Sequence, residues 1–90
     1  MNVKEAVDLA KSYIADLFGP EGAQNIGLEE VEPDLDNGRW LVTIGFSRPW
    51  DQSNALFASI GSAPRRTYKL VTISSGEKQV VSVKNRETKA

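Results

Sequence analysis

Ninety residues, 40% of them hydrophobic and 26% charged, with a net charge of only −1, describe one small domain. A chain of this length has interior for a single core, and it is too apolar to stay disordered. It has neither cysteine nor histidine, which excludes disulfides, thiolate zinc sites, thiol nucleophiles and the Ser-His-Asp triad, and removes the usual general base near neutral pH.

In chain order, the first expected element is an amphipathic helix. Val3, Ala6, Val7, Ala10, Tyr13, Ile14, Leu17 and Phe18 recur at three- and four-residue steps, the spacing of one helical face. Asn2 followed by Glu5 reads as a capping box, and Gly19-Pro20 as the stop, with Gly19 in the left-handed conformation. Residues 26–32 read as a strand in which Leu28 and Val31 break strict alternation, a fault that a bulge or an edge position explains. Asn37-Gly38 supplies the two positive-φ residues of a tight hairpin turn. The Asp34/Asp36 pair beside it has the spacing of a calcium loop, but no glutamate stands at the twelfth position.

Residues 39–47 form the clearest strand, with Trp40, Val42, Ile44 and Phe46 on one face and Arg39, Leu41, Thr43, Gly45 and Ser47 on the other. Trp40 is thereby assigned to the core. Residues 66–74 and 78–86 alternate again around a turn with Gly76 at its corner, and the polar tail 85–90 is expected to fray. The sum is an α+β domain spanning 1–90: an N-terminal helix packed on a four-stranded antiparallel meander, with a long excursion between strands 2 and 3. One helix covers one sheet face, which leaves the other for water or a partner.

The stretches VKEAVDLAKSYI, LEEVEPDLDNGRWLVTI and RTYKLVTISSGEKQVVSV give this order a rhythm that resembles the cystatin-like architecture and the small PepSY-type modules. The resemblance implies a helix gripped by a meander, and it is one of architecture alone. The Gln-x-Val-x-Gly loop of inhibitory cystatins is absent, and Pro49-Trp50 lies before the excursion rather than in the last hairpin, so inhibition of proteases is not implied.

The excursion, residues 48–64, exceeds the 12–15 residues usual for a connection in a compact domain. Trp50, Leu56, Phe57 and Ile60 make it too apolar for a solvated linker, and residues 51–60 have the spacing of a short helix capped by Ser53. It either completes the core or presents a binding surface. On the second reading Arg48, Trp50, Phe57, Ile60, Arg65 and Arg66 are the partner-binding residues, since Trp and Arg dominate interface hot spots.

Charge is unevenly spread: residues 1–36 carry nine acidic against two basic side chains, and residues 37–90 nine basic against three acidic. Folding either neutralises the halves or opposes them as two faces. The basic set Arg65, Arg66, Lys69, Lys78, Lys84, Arg86 and Lys89 raises nucleic-acid binding as an alternative, against which the sequence pI of about 5.4 argues. A small-ligand or carboxylate site among Glu29, Glu30 and Glu32, with Arg39 or Lys69, is a further alternative. Adjacent glutamates on a strand point to opposite faces, so Glu29 and Glu30 form a pair only across a bulge. No stretch reaches the roughly 20 apolar residues of a membrane span, and the start lacks the segments of a signal peptide. The expectation is a cytoplasmic, non-catalytic protein-binding or regulatory accessory module without metal or cofactor. Its partner is a protein or a second copy, met through the open sheet face and the excursion.

Overall fold

The computed structural model describes residues 1–48 and 66–86. Helix α1 covers Val3–Phe18. Asn2 is extended, its Oδ1 accepts from the Glu5 N–H at 2.8 Å, and Glu5 Oε1 accepts from the Asn2 N–H at 3.0 Å, which is the expected capping box. Gly19 is right-handed (φ −54°), in contrast to the expectation. The chain instead tightens into a 3-10 turn over Gly19–Glu21, and Gly22 takes the left-handed conformation at φ 84°. Pro20 permits this because the first turn of a helix does not need its missing N–H.

Four strands follow: β1 (Gln24–Asp34), β2 (Arg39–Ser47), β3 (Thr67–Ser74) and β4 (Gln79–Asn85). They form one sheet in the order β1-β2-β3-β4, every pair antiparallel. The domain is therefore the helix on a four-stranded meander that the alternation of apolar residues dictates. The residues expected to form the excursion between β2 and β3 lie outside the described residues except at its ends, Arg48 and Arg66.

The β1–β2 turn differs from the tight form expected of Asn37-Gly38, whereas Gly76 stands in the β3–β4 turn as expected. The β1–β2 loop is a 3-10 turn over Leu35–Asn37, and only Gly38 is left-handed (φ 62°). Asn37 stays in the ordinary region and its Nδ2 donates to Asp34 Oδ2 at 2.9 Å. In the β3–β4 turn, residues 75–78, the left-handed position belongs to Lys78 (φ 55°) and not to Gly76. Each loop thus inserts four residues and reverses its backbone at the fourth. At the other end of β4, Asn85 pairs with Lys69 and the Arg86 N–H donates to Tyr68 O at 3.0 Å, so the sheet holds both residues that the polar tail suggested would fray.

Val42, Ile44 and Phe46 from β2, Val71 and Ile73 from β3, and Ala6, Ala10 and Ile14 from α1 are fully buried. The two alanines, one turn apart, let the helix backbone approach the sheet closely. The buried seam is consequently narrower than the sequence periodicity: Val3, Tyr13 and Leu17 are each more than a third exposed. Trp40 joins this core from the rim, as assigned. Burying one Ile or Phe side chain contributes about 1.5–3 kcal/mol, so β2 is the strand on which stability chiefly rests.

A left-handed conformation costs a non-glycine residue about 1–2 kcal/mol. Lys78→Gly should therefore raise stability by a few tenths to about 1 kcal/mol once the added freedom of the unfolded chain is subtracted. Urea denaturation of the two proteins checks this.

Candidate functional site

The sheet face away from α1 is built from alternate residues of each strand. Register places Leu41 beside Thr72, Thr43 beside Leu70, and Gly45 beside Tyr68 on the two central strands. On the rims, β1 brings Glu30 beside Thr43 and Glu32 beside Leu41, and β4 brings Lys84 beside Leu70 and Ser82 beside Thr72. Among the described residues no second helix or sheet lies on this face.

Two irregularities in β1 organise it. The pairing slips once between Gln24 and Gly27 and again between Leu28 and Glu30. At the first slip Asn25 is left-handed (φ 56°), and its Nδ2 donates to Ser47 Oγ at 3.2 Å. At the second, Glu29 is the extra residue. Leu28 pairs with Ile44 and Val31 with Val42, both on the helix side, while the two residues between them turn outward together. This is the bulge that the broken alternation required, and it has a chemical result: the adjacent glutamates Glu29 and Glu30 share one face.

Each glutamate meets an arginine. Arg86 Nη1 lies 2.7 Å from Glu30 Oε1 and donates to Thr43 Oγ1 at 2.9 Å, reaching from the end of β4 over β3 and β2 to β1. Arg66 Nη2 lies 3.8 Å from Glu29 Oε2 and donates at 3.0 Å to the carbonyl of Asn25, which the first bulge turns towards it. Gly45 makes room for this second pair. A Cβ there would stand 3.0 Å from Glu29 Cγ and 3.1 Å from Arg66 Nη2, which is the close approach that glycine inside a strand commonly marks.

The mouth of the excursion holds a second cluster, on the helix side. Phe18 and Phe46 stack with centroids 5.1 Å apart, and the Arg48 guanidinium lies 5.2 Å and 5.1 Å from their centroids. Arg48 Nη1 is 3.6 Å from Glu21 Oε1. Lys69 Nζ stands 5.1 Å from the Phe18 centroid and donates to Asn85 Oδ1. The last turn of α1 has no basic residue of its own, so β2 and β3 supply the cations that its carbonyl end favours. Burial, and then the Arg48 charge, lower the Lys69 ammonium from its ordinary pKa of 10.5, with Glu21 opposing.

Of the six residues expected to bind a partner, Trp50, Phe57, Ile60 and Arg65 lie outside the described residues. Arg48 and Arg66 flank the same end of the sheet but project to opposite faces, one into the aromatic cluster and one onto the glutamate face. Sequence reasoning named Arg66 for its position in the chain. It had no signal for the reach of Arg86, which depends on where β4 ends. The described residues Lys69, Lys78 and Lys84 are similarly dispersed, on the helix side, in the far turn and on the open face, and Lys89 lies outside the described residues. Three ion pairs among the described residues, Glu21–Arg48, Glu29–Arg66 and Glu30–Arg86, join the acidic half to the basic half. Among the described residues no three carboxylates converge as a metal site would require, and no helix is long and apolar enough to cross a membrane. No protein-family model matches the chain, and no curated protein or solved structure matches it either.

Gly45→Ala should destabilise the domain by about 1 kcal/mol, the low end of overpacking because the crowded side chains are part-exposed. Most of that loss should disappear in a Glu29→Ala background, as a double-mutant cycle would show. The lowered pKa of Lys69 carries its own prediction. Between the folded value and the unfolded one the unfolded chain binds more protons, so stability rises with pH across that window below 10.5. Denaturation at a series of alkaline pH values should reveal a rise in the wild type that Lys69→Met lacks.

Proposed function

We propose that this chain is a non-catalytic protein-binding module, an accessory or regulatory one, that docks through the sheet face opposite α1. The observation that carries this reading is the make-up of that face. Leu41, Leu70 and Tyr68 are half-buried on the central strands, and Arg66 and Arg86 beside them are held in place by Glu29 and Glu30. Apolar and aromatic anchors beside pre-ordered arginines are the composition of an interface centre, and holding the arginines in advance reduces the side-chain entropy lost on docking.

Catalysis fits the same residues less well. The bulge does bring two glutamates together, but each is engaged by its own arginine, whereas paired carboxylates doing acid/base work need environments that push their pKa values apart. Nucleic-acid binding is supported less again, because the described basic side chains are divided between two faces and a turn, and two of those on the open face are spent on glutamates. The helix-on-meander architecture shared in rhythm with cystatin-like and PepSY-type modules is compatible with binding, and with no particular partner.

The test is capture by the immobilised chain from its native extract, followed by competition. A protein retained by the wild type and by the helix-side variant Lys11→Glu, but lost with Leu70→Lys, would support docking through this face. Retention that is equal for all three, or self-association equally indifferent to Leu70→Lys, would overturn it.

A further inference from the structure

We infer that Asn37 is a site of spontaneous chemical modification, where the side-chain amide cyclises onto the Gly38 nitrogen and is lost, at a rate that Asp34 holds down. The inference is independent of how the domain docks. Of the five asparagines, only Asn37 precedes a glycine. The reaction needs the following residue's nitrogen to reach the side-chain carbonyl carbon, and a side chain on that residue crowds the approach. Gly38 has none, and a Cβ placed there would meet nothing within 4 Å. Its N–H donates to Leu35 O at 3.4 Å, longer than the usual range for such bonds, so the nitrogen is weakly engaged. Both residues are exposed to water and hydroxide. The other asparagines are better guarded. Asn2 and Asn25 precede the β-branched Val3 and Ile26, and Asn54 precedes alanine, which carries the methyl group that glycine lacks. The nitrogen after Asn85 is bound to Tyr68 O at 3.0 Å.

The step balances with water as its sole co-reactant. The Gly38 nitrogen attacks Asn37 Cγ and closes a five-membered imide. The Cγ–Nδ2 bond breaks, and the amide leaves as ammonia with the proton that the Gly38 nitrogen gives up. Water then opens the imide at either carbonyl. One opening leaves aspartate, and the other leaves isoaspartate, in which the main chain runs through the former side chain.

Asp34 is the restraint. Asn37 Nδ2 donates to Asp34 Oδ2 at 2.9 Å, which holds the side chain back towards a residue three positions earlier and away from the nitrogen that follows. Cyclisation draws on the released conformer alone. The net strength of one such bond corresponds to a preference of about three- to tenfold for the held conformer.

Conversion also alters the turn. It removes the Nδ2 donor and sets a new carboxylate against that of Asp34. Isoaspartate further lengthens the main chain just before Gly38, whose carbonyl accepts the Ser75 N–H at 2.9 Å and ties this turn to the β3–β4 turn. Modification therefore loosens the end of the meander at which both turns meet.

Peptide mapping by mass spectrometry, with isoaspartate scored separately, follows the purified 90-residue chain through incubation in mildly alkaline buffer. Residue 37 should convert before any other asparagine. Asp34→Ala should speed that conversion about three- to tenfold, and Asp34→Asn, which keeps an acceptor oxygen, should fall between the two. Circular dichroism checks that both variants fold. In concentrated urea all three proteins should convert at one common rate, because the restraint belongs to the folded turn. Earlier conversion at another asparagine, an intact residue 37, or an Asp34→Ala rate equal to the wild type overturns the proposal. A rate difference that survives in urea overturns it as well.

Discussion

A single helix can shield only one side of a four-stranded sheet, and this constraint governs the molecule. The helix side is settled by apolar packing: three positions one turn apart on α1, two of them alanine, close against β2 and β3. Among the described residues the other side of the sheet has no second layer. Polar side chains long enough to lie across the strands are found there instead. Thr43 is only 4% exposed on that side, with Arg86 hydrogen-bonded to it. An arginine stem can cover apolar surface while its head remains paired.

The bulges in β1 are what make that cover possible. A regular strand would send one of the two glutamates towards the helix, where a carboxylate would have to be desolvated. The extra residue instead turns both outward, and the left-handed Asn25 offers a carbonyl to Arg66. Bulges also break the regularity of an edge, as the slip between Thr72 and Ile73 does on the opposite rim, where Val81 is half-exposed. Both outer strands are thereby poor templates for edge-to-edge pairing. Exposed ion pairs of this kind stabilise a fold by less than about 1 kcal/mol each, so the two arginine–glutamate pairs matter more for holding side chains in position than for holding the domain together.

What could be read from the sequence followed from periodicity. Trp40, Val42, Ile44 and Phe46 alternate so plainly that β2 and its buried face could be assigned at once, and Asn2 with Glu5 marked the start of α1 to the residue. The broken alternation between Leu28 and Val31 was legible as a bulge, but its consequence was not: which two side chains share a face depends on where the partner strand slips. Backbone sign was also poorly legible. Glycine permits positive φ without requiring it, so Gly19, like Asn37 in its turn, was a natural choice, whereas the chain takes that conformation at Gly22, Gly38 and Lys78. The contacts of Arg66 and Arg86 span 37 and 56 positions to their glutamates, and no local pattern encodes separations of that kind.

Arg86 has a bearing on how the chain finds its structure. Rooted just after the last strand, it ends on the first, and it touches a threonine of the second on the way. Side chains alternate across a sheet, so sliding any one of the intervening pairings by a single residue would deliver this guanidinium to the greasy side or beyond reach of its carboxylate. The contact can close only after three separate alignments are all correct. It works as a final inspection of the assembled meander, favouring the right registry over its near misses by up to the strength of the contact itself.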